Sequence, residues 1–143
     1  MERAVLFADL CGYTALTEAH GDAEAADVSA RLVALARDAL VGDSTLVKSM
    51  GDAVMVVSAS IADAVRSSLV LTYASAVDRS LALGVGLHAG PVVERDGDYF
   101  GATVNIAARV AAKAGPHSVL CTPQVAGAAR ALEDLTVVPL GPS

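Results

Sequence analysis

Residues 45–58 read TLVKSMGDAVMVVS, in which two β-rich runs, Thr45 to Lys48 and Ala53 to Ser58, flank Met50-Gly51-Asp52. Gly-Asp between two such runs is a strong hairpin signal, because glycine reaches backbone conformations that tight turns demand. Upstream, Val5-Leu6-Phe7-Ala8 is a short apolar run ending at Asp9, which reads as a buried strand. Helix follows from Thr14, and Asp22 is placed to cap a second helical stretch. There Val28, Leu32, Leu35 and Ala39 fall on one face. Downstream, Ser60-Ile61-Ala62-Asp63 opens a helix running to about Val77. Leu83, Val85, Leu87 and Ala89 then alternate with Gly84, Gly86, His88 and Gly90, a strand with one apolar face and one nearly bare face. Val92 to Glu94 is expected to pair with that strand. Ala102 to Ala114 reads as helix, Ser118 to Cys121 as strand, Gln124 to Ala131 as a short helix and Thr136 to Val138 as a last strand. The order β-α-β-β-α-β with additions predicts an α+β fold over residues 1–143. The expectation is one domain, a ferredoxin-like antiparallel sheet under helices.

The composition narrows the function. Hydrophobic residues make up 54% of the 143, ample for a core, yet no uncharged run is long enough for a membrane span. Neither a signal peptide nor a membrane segment is expected, and the chain is expected to be cytoplasmic. The net charge of −6 disfavours nucleic acid as a partner, and aromatics at 3% exclude a base-stacking sheet. Binding of a polyanionic phosphate would have to come from metal ions, helix N-termini and a few placed cations. Cys11 and Cys121 lack metal-ligand spacing and read as reduced thiols.

Three constellations carry chemistry. In Phe7-Ala8-Asp9-Leu10-Cys11-Gly12-Tyr13-Thr14 an acid ends a buried strand and a glycine turn leads into a helix. Such a turn, from Leu10 and Cys11 through Gly12, Tyr13 and Thr14, aims N–H groups at one point suited to phosphate. Read alone, an Asp before a glycine turn is a turn residue. Asp52 at the hairpin tip is the second. Two carboxylates at the ends of neighbouring central strands repel unless a divalent metal lies between them, so Asp9 and Asp52 are a candidate two-metal pair. The third runs from Asp98-Tyr99-Phe100-Gly101 to Arg109. Asn105 and Arg109 are four apart and share a helix face, while Val104, Ala107, Ala108 and Ala111 pack.

Together, Phe7-x-Asp9-x-x-Gly12, Lys48-Ser49-Met50-Gly51-Asp52, Gly86-Leu87-His88-Ala89-Gly90 and Asp98 to Arg109 resemble the motifs of the class III nucleotidyl cyclases. They stand in the family's order over about residues 3–130. The resemblance implies that Asp9 and Asp52, with the carbonyl of Leu10, hold two Mg²⁺ or Mn²⁺ ions. It implies that Lys48 and Asp98 read the purine, that Asn105 orients the ribose and that Arg109 serves the transition state. Lysine donates to the acceptor N1 of adenine, and a carboxylate accepts from its 6-amino group. Guanine reverses that pattern and would be left mispaired. The resemblance therefore implies an adenylyl cyclase making 3′,5′-cyclic AMP and pyrophosphate from ATP, at a site shared across a head-to-tail homodimer.

The pattern departs from the family at its end. Family domains carry a later lysine that contacts the triphosphate, whereas here the sequence closes with Leu140-Gly141-Pro142-Ser143. Lys113 and Arg95 are weak substitutes. The competing reading is a dormant, non-catalytic nucleotide-binding or dimerisation module. His88 is expected to pack rather than to catalyse, and the bare glycine strand reads equally as a partner surface or as packing within the chain. The phenol rings of Tyr13 and Tyr99 are expected to be structural.

Overall fold

The computed structural model describes residues 1–77, 81–132 and 136–140, apart from the side chains of Thr14 and Leu16. The elements are β1 (Glu2–Leu10), α1 (Tyr13–His20), α2 (Asp22–Asp38), β2 (Thr45–Ser49), β3 (Ala53–Ser58), α3 (Ile61–Val77), β4 (Leu83–Pro91), β5 (Val93–Arg95), β6 (Asp98–Phe100), α4 (Ala102–Lys113), β7 (Ser118–Cys121) and α5 (Pro123–Ala129). The main sheet has the order β2-β3-β1-β4-β7. Its first four strands are antiparallel, the βαββαβ arrangement expected from the sequence, and β7 adds to the edge of β4 in parallel.

Strand alternation sorts β1 onto two faces. Ala4, Leu6, Ala8 and Leu10 join a large core with Val54, Val56, Leu83, Val85 and Leu87 under α2 and α3. Val5 and Phe7 face the other way, into a smaller core with Met55, Val57, Ala107 and Ala111 under α4. Asp9 has the parity of Phe7 and pairs with Ala53 and Gly84 across the sheet, so it stands at the end of the α4 face. In β2 the register shifts between Leu46 and Lys48. That bulge lets Val47 pack into the smaller core while Lys48, opposite Met55, is held on the same face.

The bare face of β4 is filled from within the chain. A Cβ added at Gly86 would fall on the backbone nitrogen of Ala111, and one at Gly84 on the carbonyl of Ala114. A Cβ at Gly90 would lie 2.7 Å from Thr103 Oγ1. Helix α4 therefore runs antiparallel to β4 on a rail of glycines. Of the two readings open in the sequence, packing within the chain is the correct one. Gly86→Ala is expected to destabilise by about 1–3 kcal/mol, as overpacking against backbone that cannot rotate aside, and denaturant unfolding would measure it.

Three expectations need correction. Val93–Arg95 pairs with Asp98–Phe100, not with β4. The cause is Asp96-Gly97, whose φ angles of 54° and 80° make the tight turn that suits a two-residue hairpin. Residues 136–138 form no strand: Val137 packs on the main core, Val138 is exposed, and no sheet partner is recorded for them. Asp22 is the first residue of α2 rather than its cap, and Gly21 takes the N-cap position. The Ser60 cap is as expected, with Asp63 N–H donating to Ser60 Oγ at 3.2 Å. Among the described residues, no helix is long and apolar enough to cross a membrane.

Candidate active site

The first cluster forms where β1 and the β2–β3 turn end side by side. Leu10 N–H donates to the Asp52 carbonyl at 2.7 Å, which fixes the turn against β1, and Cys11 N–H donates to the Ala82 carbonyl at 2.7 Å. Those two N–H groups are thus committed, and any phosphate contact from this loop falls to Gly12, Tyr13 and Thr14 at the start of α1. Gly12 is its N-cap at φ 77°, and no side chain caps that end. The Asp9 carboxyl is pushed above the usual carboxylate range, first by burial and then by the charge of Asp52. Such an excess of negative charge is what a divalent cation would neutralise. Burial also raises the Cys11 thiol, with Asp9 adding to the effect, so Cys11 is a poor thiolate and a poor soft ligand.

Among the described residues no group of three or more His, Cys, Asp or Glu side chains gathers into a closed metal cage. The donors on hand are the carboxylates of Asp9 and Asp52 and the carbonyl of Leu10, all hard oxygens. Hard oxygens and an incomplete ligand set fit Mg²⁺ or Mn²⁺, whose remaining positions go to water and substrate phosphates.

The second cluster brings together Lys48 of β2 and Asp98 of β6, 50 residues apart. Lys48 Nζ donates to Asp98 Oδ2 at 2.9 Å, and Tyr99 N–H donates to Asp98 Oδ1 at 2.8 Å. These contacts, the Lys48 hydrogen bond first, hold the Asp98 carboxyl below the usual range, so it is a committed acceptor. Both side chains are partly exposed, 39% for Lys48 and 30% for Asp98, leaving room for a ligand edge. Asn105 and Arg109 lie exposed on the outer face of α4, opposite Ala107 and Ala111, which are buried toward the sheet.

The adenylate and guanylate cyclase catalytic domain model matches residues 2–139. The chain belongs to that family, the class III nucleotidyl cyclases.

An uncharacterized protein of Mycobacterium tuberculosis is 40% identical to this cyclase domain over 121 residues, covering 83% of the chain and 32% of the relative. A pH-sensitive adenylate cyclase of the same species is 38% identical over 122 residues, covering 85% and 31%. An adenylate cyclase of Streptomyces griseus is 36% identical over 118 residues, covering 81% and 30%. The chain thus spans about a third of the length of the curated relatives it matches. Among solved structures, an adenylate/guanylate cyclase/hydrolase from Silicibacter pomeroyi superimposes with a TM-score of 0.79 at 24% identity. It covers 99% of this chain and 86% of that one, and the likeness shows the fold.

The remaining motif residues of the cyclase domain fall into place as packing. His88 is 7% exposed, with Nδ1 2.6 Å from Thr122 Oγ1, and burial lowers its pKa, so it is a neutral histidine of the core. Tyr99 packs on the smaller core, and Tyr13 on the larger. The side chain of Thr14 lies outside the described residues. Sequence reasoning missed Ser29, which donates to the Gly51 carbonyl at 2.6 Å and lies 3.2 Å from the Tyr13 hydroxyl. The only signal was a serine within an otherwise strong helical run.

Proposed function

We propose that this cyclase domain, residues 1–143, is an adenylyl cyclase that converts ATP to 3′,5′-cyclic AMP and pyrophosphate. Its site would be shared between two copies paired head to tail. The observation that carries the choice of ATP is the Lys48–Asp98 pair at 2.9 Å. A donor and an ionised acceptor stand together, matching N1 and the 6-amino group of adenine. The adenylate cyclase relatives of Mycobacterium and Streptomyces support the same substrate.

In this reading Asp9, Asp52 and the Leu10 carbonyl hold two Mg²⁺ or Mn²⁺ ions. When bound, the ions activate the ribose 3′-hydroxyl and neutralise charge on the triphosphate and on the departing pyrophosphate. Lys48 and Asp98 bind the base and set its distance from the reacting phosphate. Asn105 orients the ribose so that the 3′-oxygen faces the α-phosphorus. The 3′-oxygen–phosphorus bond forms as the bond to pyrophosphate breaks, and the hydroxyl proton passes to solvent. Arg109 offers its guanidinium to the charge that builds on the phosphoryl oxygens. The free Cys11 and Cys121, like the need for ATP, suit a reducing cytoplasm.

The test is the double variant Lys48→Glu, Asp98→Gly. It is expected to lose ATP turnover by about 100-fold or more, the cost of leaving polar edges of the base unpaired, and to gain GTP turnover relative to ATP. Steady-state assays with each nucleotide and Mn²⁺ measure this. Undiminished ATP use by the double variant would mean that these residues do not read the base.

A further inference from the structure

The turn that carries Asp52 is an exposed, strained piece of backbone. Asp52 N–H closes a three-residue turn onto the Met50 carbonyl at 3.0 Å, around Gly51 at φ 78°. Turns of this kind with positive φ are rare and strained. Met50, Gly51 and Asp52 are all exposed, so little apolar packing holds the tip in place. Two consecutive carbonyls are instead held from two sides. The Asp52 carbonyl accepts from Leu10 N–H of β1, and the Gly51 carbonyl accepts from Ser29 Oγ of α2 at 2.6 Å. Fixing both peptide planes fixes the direction in which the Asp52 side chain leaves the backbone.

Ser29 has one hydroxyl proton, and the Gly51 carbonyl can only accept, so that proton goes to Gly51. The Tyr13 hydroxyl, 3.2 Å from Ser29 Oγ, is a second and more distant acceptor beside the same O–H. Ser29 thus ties α2 to the hairpin tip, with Tyr13 of α1 beside it. Serine is an indifferent helix former whose hydroxyl tends to fold back on its own helix. Here it reaches 22 residues along the chain instead.

We propose that Ser29 is a positioning residue of the metal site: its hydrogen bond to the Gly51 carbonyl locks the Asp52 turn into register with Asp9. The inference rests on the reading of Asp9 and Asp52 as the ion-holding pair. Its effect is on metal affinity, while base choice, which belongs to Lys48 and Asp98 on the α4 face, stays as it is.

The experiment compares Ser29→Ala, Ser29→Thr and Tyr13→Phe with the parent. Calorimetry measures Mn²⁺ binding, and amide hydrogen exchange of the metal-free protein reports on residues 50–53. Alanine suits a helix, so Ser29→Ala keeps the fold. Ser29→Ala is expected to weaken Mn²⁺ binding by about 3- to 10-fold, the size of one hydrogen bond's net contribution. It should speed exchange at residues 50–53 alone and leave the ATP-to-GTP preference unchanged. Ser29→Thr restores both readouts, and Tyr13→Phe, which removes only the longer contact, leaves both near the parent's. Unchanged Mn²⁺ affinity and exchange in Ser29→Ala, or faster exchange throughout the protein, overturns the proposal. Asp52→Ala separates the two levels. If Mn²⁺ binding survives it, the metal reading itself fails; if it abolishes binding and Ser29→Ala does not weaken it, only the role of Ser29 fails.

Discussion

Asp52→Ala is expected to lower the rate of cyclic AMP formation by about a thousandfold or more and to leave thermal unfolding unchanged or slightly improved. Loss of an ion that stabilises transition-state charge by several kcal/mol corresponds to a rate effect of that size. The fold survives because Asp52 supports it through its backbone. The carbonyl that accepts from Leu10 N–H is retained in alanine, and the side chain is exposed at a turn. Removing it also relieves the like-charge repulsion that Asp52 exerts on half-buried Asp9. Opposite signs for activity and stability mark a residue kept for function. Cyclase assays with Mn²⁺ and ATP, run beside thermal unfolding, check both halves. Retained activity in Asp52→Ala overturns the two-metal assignment.

The second large effect is a loss that mixing repairs. Asp9→Ala chains and Arg109→Ala chains are each expected to be inactive. Combined in equal amounts, they are expected to regain about a quarter of the parent activity: unlike chains meet in about half of the dimers, and each such dimer has one intact site of two. The geometry of one chain supports this expectation. Asp9 belongs to the sheet face beneath α4, while Asn105 and Arg109 stand on the far side of that helix, opposite buried Ala107 and Ala111. A helix with its side chains is about 10 Å across, so the two sets address different spaces. Lys48 shares the sheet face of Asp9 but sits two strands and two residues away, about 12 Å between backbones. Co-purification of the two variants through different affinity tags must show that unlike chains pair; if they do and the mixture stays inactive, the shared site is wrong for this protein.

The sequence made the hairpin and its acid legible because glycine-aspartate between β-branched runs is a local signal that tertiary packing had no reason to override. The helix carrying Asn105 and Arg109 was legible for a similar reason, since its small residues mark one face. The apolar start of Val92 to Glu94 points to β4, but the adjacent Asp96-Gly97 turn is the more local signal and folds Val93–Arg95 onto Asp98–Phe100. Glycines along β4 announced a close approach but not by what; only the contacts with Ala111 and Ala114 decide that. Ser29 was invisible for a different reason. Its partner is 22 residues away, and a hydroxyl on a helix has no periodicity to betray a tertiary bond.

The glycine rail under α4 sets a seam that evolution cannot adjust against a layer that it can. On the α2 and α3 side the layers meet through leucines and valines, whose volumes can be traded against one another at modest cost. Where α4 crosses Gly84 and Gly86 of β4 the spacing is set by backbone against backbone, with no side chain between to be exchanged. Directed evolution for thermostability should therefore find its gains in the leucine-rich layer, away from Leu10 and from the turn of α2 that carries Ser29.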